Sequence, residues 1–285
     1  MSLASAARRL ALGLLLALLT ACGAPSSTIA SMAVGAEPNP QSAILAEIYA
    51  SALRSYGTPA HTETMPDPLS GLDTGQVSVV PGLTGQLLQR FAPGTSAKSD
   101  EQVYRAMVGT LPEGISAGDY ATAAEDKPAL AVIEATAAAW GGRELAALVS
   151  HCPQLSVGVV HDAPRTPAAV GKCTLPAVRE FADTAVLFDA LRSGQVNAVW
   201  TTTAEPALPE DVVVLADRKP MLIQADNVVP LYRRNELTAR QVLAINEVAG
   251  VLDTAALKQM RQQVADGAGP SAVAEAWIAD HPLGR

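Results

Sequence analysis

Short apolar runs and longer amphipathic stretches alternate along this chain. Residues 77–81 (VSVVP), 129–133 (ALAVI), 155–160 (LSVGVV) and 196–200 (VNAVW) read as buried strands, and 28–35 (TIASMAVG) and 61–65 as two more. Between them, residues 43–56 (AILAEIYASALRSY) carry apolar side chains at helical spacing and stop at Gly57, a residue that accepts the left-handed turn after a helix. Asn39-Pro40 just upstream pairs an N-cap residue with a proline suited to the first helical position. Residues 68–74 predict a short helix or turn. Helices are predicted over 84–91, 100–110 (capped by Ser99 or Asp100), 134–140, 144–150 and 184–193.

Residues 211–215 (DVVVL) predict an outer strand. Residues 227–231 (NVVPL) predict another, and Pro230 disfavours a central place for it, because proline cannot donate to a ladder. Three helices close the chain, over 238–252, 254–266 and 271–280. Thr238 and Ser271 are their N-caps, and Pro270 lies just outside the last one. Strands separated by helices predict an α/β fold with largely parallel sheets. One βαβ lobe, then a second, then a helical tail implies two lobes joined by more than one crossover. A cleft between lobes is where small ligands bind.

The first residues obey a different pattern. Arg8 and Arg9 precede the apolar run 10–19 (LALGLLLALL), which is shorter than the roughly 20 residues of a membrane span. Leu19-Thr20-Ala21-Cys22 then resembles a bacterial lipobox. Residues 1–22 are thus expected to be a lipoprotein signal peptide, with Cys22 lipidated at the mature N-terminus. Several acyl chains there would suffice for stable anchoring; the alternative is an uncleaved N-terminal anchor. Residues 23–27 (GAPSS) read as a tether, and the rest as an extracytoplasmic domain on the outer face of the cell membrane.

Composition narrows the function. The chain is 49% hydrophobic, which supports a packed core. Its 20 Lys+Arg against 28 Asp+Glu give −8 with no basic run, which argues against nucleic acid as a partner. Of three cysteines, Cys22 is assigned to the lipid. Cys152 and Cys173 are left as an even pair in an oxidising compartment, expected to form a disulfide, with two free thiols as the alternative. Such a bridge closes a loop of about 20 residues and is worth roughly 3 kcal/mol in the chain-entropy model. No nucleophile elbow, zincin, phosphate-loop or dinucleotide motif is present, so no catalytic residue and no cofactor is assigned. His61, His151, His161 and His281 lack ligand spacing, so no metal site is assigned. A His151–Cys152 catalytic pair is disfavoured, because adjacent residues rarely face each other productively.

Several segments carry a resemblance. Gly35 and Gln41 followed by Ile44-Leu45-Ala46-Glu47-Ile48-Tyr49, then Val79-Val80-Pro81-Gly82-Leu83-Thr84-Gly85 with Leu87-Leu88, are similar to the quaternary-amine family of ABC-transporter substrate-binding lipoproteins. Ala129-Leu130-Ala131-Val132, residues 191–198, Trp200-Thr201-Thr202, residues 227–231 and the terminal helices to Trp277 continue it. The resemblance spans about residues 32–283. It implies a two-lobe, type II periplasmic-binding fold with a ligand cleft between the lobes, assigned as 28–115 and 206–285 for lobe I and 116–205 for lobe II. It also implies a small-molecule solute, glycine betaine, choline or another small compound, with ABC permease and ATPase subunits as partners. Recognition in that family uses aromatic faces around a quaternary ammonium.

Here the family's glutamate-tyrosine is replaced by Gly82-Leu83, and Pro128 stands where a tyrosine often precedes the crossover strand. Aromatic residues make up only 4% of the chain. Trp200 is the one aromatic at a matching cleft position; Tyr120 and Tyr232 are possible contributors, and Trp140 and Trp277 read as packing. The resemblance therefore places Gln41, Leu83, Thr84, Trp200, Thr201 and Thr202 at the ligand, in a scaffold whose solute is altered. Asn39 reads as a cap before a contact, and Asp126-Lys127 as a solvated loop pair that could otherwise gate the cleft. A degenerate binding-protein fold acting as envelope sensor or interaction module is the alternative function.

Overall fold

The computed structural model describes residues 31–161, 163 and 166–284. The signal segment, the tether and Cys22 lie outside the described residues.

The chain starts with strand β1 (Met32–Ala36), helix α1 (Pro40–Ser55), β2 (Ala60–Thr64), α2 (Pro68–Thr74), β3 (Val79–Leu83), α3 (Thr84–Phe91), α4 (Asp100–Val108) and β4 (Ile115–Ala117). Local chemistry sets many of these bounds. Asn39 caps α1 by accepting from Ser42 N at 2.8 Å, with Pro40 as first helical residue. Asp67 caps α2, and Gly75 ends it at φ 79°.

The second lobe contains β5 (Pro128–Ile133), α5 (Glu134–Ala139), α6 (Leu145–Ser150), β6 (Val157–Val160), β7 (Ala169–Val170), β8 (Cys173–Thr174), β9 (Arg179–Phe181), α7 (Thr184–Arg192), β10 (Ala198–Thr202) and β11 (Val212–Val214). The chain returns through β12 (Val228–Arg233) and ends in α8 (Ala239–Val251), α9 (Thr254–Ala265) and α10 (Pro270–Asp280). A disulfide joins Cys152 to Cys173 and ties the β7–β8 hairpin to the segment after α6. Among the described residues, no helix is long and apolar enough to cross a membrane.

The two five-stranded sheets share one plan. The first runs β2-β1-β3-β12-β4, and the second, read from its far edge, β9-β6-β10-β5-β11. In each, three neighbouring parallel strands are followed by one antiparallel strand. That odd strand is the first one the chain forms after crossing: β5 on the way out, β12 on the way back. A strand entering from the other lobe starts at the seam, whereas strands feeding crossover helices end there, so the two must oppose. Apolar clusters pack on both faces of both sheets, as parallel strands require.

Four features differ from the sequence expectations. β12 is interior, between β3 and β4. Pro230 is tolerated there because its carbonyl accepts from Gly118 N, away from β3. Its missing N–H points the same way, and its β3 neighbour Pro81 also needs no donor on that side. Pro270 is the first residue of α10, with Gly269 as the cap, so Ser271 is inside the helix. Ile115–Ala117 pairs in the first sheet, beyond the expected 115/116 boundary, and Val212–Val214 pairs with β5 in the second, beyond 205/206. Asp126 and Lys127 are 3% and 4% exposed rather than solvated, because the crossover runs through the interior of the seam.

Candidate functional site

β1 and β3 both end at the seam, and the chain turns from each directly into a helix. The β1 turn delivers Glu37, Asn39 and Gln41; the β3 turn delivers Gly82, Leu83 and Gln86. With Ser42, Leu45, Pro81, the loop residue Pro206, and Arg261, Val264 and Ala265 of α9, they line a cavity of about 620 Å³. Among the described residues, none that lines it is aromatic.

The β3 turn is built tightly. Asp226, almost wholly buried, accepts from Gly85 N at 2.6 Å and Gln86 N at 3.1 Å through one carboxylate oxygen. It thus caps α3 from 140 residues downstream, where Leu83 at the N-cap position supplies no side-chain bond. Burial pushes the Asp226 carboxyl up to about 8, against the opposing pull of the two backbone N–H groups. A Cβ at Gly85 would stand 2.6 Å from the Ala225 carbonyl oxygen, so only glycine fits this approach.

Arg261 ties the cavity wall to the seam. Its Nη2 donates to Oδ2 of Asp126 at 2.5 Å, and its Nη1 donates to the Ala204 carbonyl at 3.1 Å. Gln41 Nε2 donates to the same Asp126 oxygen at 2.6 Å. Asp126 sits in the outgoing crossover, so one carboxylate gathers a cavity residue from α1 and another from α9. Next to it, Lys127 Nζ lies 3.2 Å from Glu125 and 3.5 Å from Asp217, which is on the return segment. Burial raises the Glu125 carboxyl despite that lysine. The Thr203 hydroxyl donates to the Glu125 carbonyl and accepts from Lys127 N, lacing the crossover to the end of β10.

The expected site residues separate into groups. Gln41 and Leu83 line the cavity. Thr84 does not: it is fully buried, and its hydroxyl accepts from Asn227 N at 2.9 Å, which fastens α3 to β12. Trp200 is 3% exposed within the core of the second sheet, and its indole N–H has no partner among the described residues. Strand alternation explains this, since Trp200 packs with Leu130 and Val132 on one face of β5–β10. Thr201 donates to Glu205 at 3.2 Å, and Thr202 is half-buried; neither lines the cavity. Tyr120 stacks on Tyr104 with ring centroids 4.5 Å apart, Trp140 stacks on His151, and Trp277 packs in the first lobe's core. Asn39 is both a cap and a cavity residue.

Sequence reading missed Glu37, Ser42, Gln86 and Arg261. For Arg261 a signal existed. Leu257, Met260, Arg261 and Val264 fall at i, i+3, i+4 and i+7, so a cation occupies the apolar stripe of α9.

Residues 30–280 match the family model described as the substrate binding domain of ABC-type glycine betaine transport systems. Among curated proteins, none matches at a significant level. The fold is similar to that of apo YehZ from Escherichia coli, with TM-score 0.69 at 19% identity over 89% of this chain and 99% of that one. It is also similar to a glycine betaine/carnitine/choline ABC transporter structure, with TM-score 0.71 at 14% identity over 88% and 98%. A choline-binding ABC-transporter protein in complex with choline gives TM-score 0.56 at 15% identity over 88% and 89%. At these identities the likeness carries the architecture: two lobes of the type II periplasmic-binding plan.

Proposed function

This chain belongs to the family of substrate-binding domains of ABC-type glycine betaine transport systems, and from that premise we propose that it is the extracytoplasmic solute receptor of an ABC importer. That family is one of transport receptors, not of enzymes. In this reading the chain is held at the membrane by lipid on Cys22 and delivers its solute to a permease driven by an ATPase. The observation that carries it is the cavity at the seam. Its walls come from the strand-to-helix turns of lobe I, and its polar wall is wired through Gln41 and Arg261 to Asp126 in the crossover. A solute bound there touches residues coupled to the hinge, as closure on a ligand requires.

The solute is altered relative to the aromatic-cage binders, because the cavity wall has no ring faces to offer a quaternary ammonium. The same feature favours the second reading, an envelope sensor or interaction module on a degenerate receptor fold. Small-angle scattering and thermal shift across a broad solute panel separate the two. One solute that compacts the particle and raises Tm by several degrees supports the receptor; silence from every solute supports the sensor. Mass analysis of the N-terminal peptide from a membrane fraction tests acylation of Cys22.

A further inference from the structure

The formal charge left without a described partner on the cavity wall is of one sign. Arg261, the only cation on its wall among the described residues, is matched by Asp126 at 2.5 Å. Asn39 is consumed locally: its carbonyl accepts from Ser42 N and its amide donates to Glu37 Oε2. One N–H of the Gln41 amide is taken by Asp126. Among the described residues, the side-chain acceptors without a partner are Oε1 of Glu37, Oε1 of Gln41 and the Gln86 carbonyl, beside free donors on Ser42, Gln41, Gln86 and Arg261. One of these acceptors belongs to a carboxylate whose charge no described cation pairs. Leu45, Leu83, Pro81 and Val264 provide apolar wall beside them.

A quaternary ammonium has no N–H and gains from ring faces, which this wall lacks. A protonated primary or secondary amine needs acceptors and a counter-charge, which this wall supplies. We infer that the cavity selects a small solute carrying an ammonium group with N–H donors, received by Glu37 with the Gln41 and Gln86 carbonyls, in preference to its fully methylated counterpart. Glu37 is then the specificity-determining residue. This rests on the solute-receptor reading above and names its substrate class.

The test holds charge constant while N–H groups are removed. Ethanolamine, N-methylethanolamine, N,N-dimethylethanolamine and choline are all cationic at pH 7 and lose their N–H groups one at a time; glycine to glycine betaine forms a second series. Calorimetric titration of the full mature protein is expected to show affinity falling along each binding series, with the quaternary member weaker by about tenfold or more. Glu37→Gln, an exposed position whose fold is checked by circular dichroism, is expected to weaken the tightest amine by about tenfold. Choline or glycine betaine binding tightest, equal affinities along a series, or unchanged affinity in Glu37→Gln overturns the inference. Silence in both series while another solute closes the lobes also overturns it and leaves the receptor reading standing; silence from every solute fails both.

Discussion

Arg261 and Asp126, 135 residues apart in sequence, meet at 2.5 Å with side chains only 11% and 2% exposed. They join the penultimate helix to the crossover between lobes. Removing one partner leaves the other buried and uncompensated. Asp126→Ala is therefore expected to destabilise the protein by roughly 3–5 kcal/mol, read by denaturant unfolding. The pair Asp126→Leu with Arg261→Met is expected to cost clearly less than the sum of the singles. Additive losses would show that the two side chains are not coupled.

Asp226 predicts a pH dependence. Its folded carboxyl titrates near 8 because of burial, well above the unfolded value of about 4. Between those values the folded state holds more protons than the unfolded one, so stability is highest at the acid end and falls as pH rises toward 8. The raised Glu125 carboxyl adds to the same slope. Asp226→Asn keeps an acceptor for Gly85 and Gln86 and removes one titrating group. Its stability curve from pH 4 to 9 is expected to be flatter than the wild type's, and an unchanged slope would clear Asp226 of this role.

The disulfide closes a loop with a separation of 21 residues and ties down strands β7 and β8, whose Val170 and Cys173 pack in the second lobe's core. Its loss in the Cys152→Ser, Cys173→Ser double variant is expected to cost about 3 kcal/mol. The loss should be measured as a drop in Tm that dithiothreitol reproduces in the wild type and not in the variant.

Trp200 belongs to a core rather than to a ligand wall. Trp200→Ala is expected to destabilise by about 3–5 kcal/mol through the cavity it leaves. Trp200→Phe, which keeps most of the volume, is expected to leave solute affinity within about twofold of wild type. A large affinity loss in a stable Trp200→Phe protein would return this residue to the binding site.

How legible these features were depended on the range of the forces behind them. Helices Pro40–Ser55 and Pro68–Thr74 lie where their periodicity and flanking residues put them, because their N-caps, Asn39 and Asp67, are neighbours in the chain. Strands of two or three residues, such as Ile115–Ala117 and Arg179–Phe181, left no readable period. They exist because a partner strand passes by. Gln41 and Leu83, named through the family resemblance, line the cavity because each sits at a strand-to-helix turn that ends at the seam. Thr84 and Trp200 carried plausible binding chemistry, but the turn and the pleat point them inward.

By itself the sequence determined the α/β alternation and the family resemblance, since both rest on local periods and short ordered motifs. It also left two cysteines to pair. Tertiary structure alone decided that Pro230 can be interior, that Asp126 and Lys127 are buried, and which polar atoms face the cavity. The physical reason is that each of these is a pairing across more than 70 residues of chain: Pro230 with Pro81, Lys127 with Thr203, Arg261 with Asp126. Such pairings cannot be read from neighbours in the chain, because they are settled only when the two lobes and the strands that join them come together.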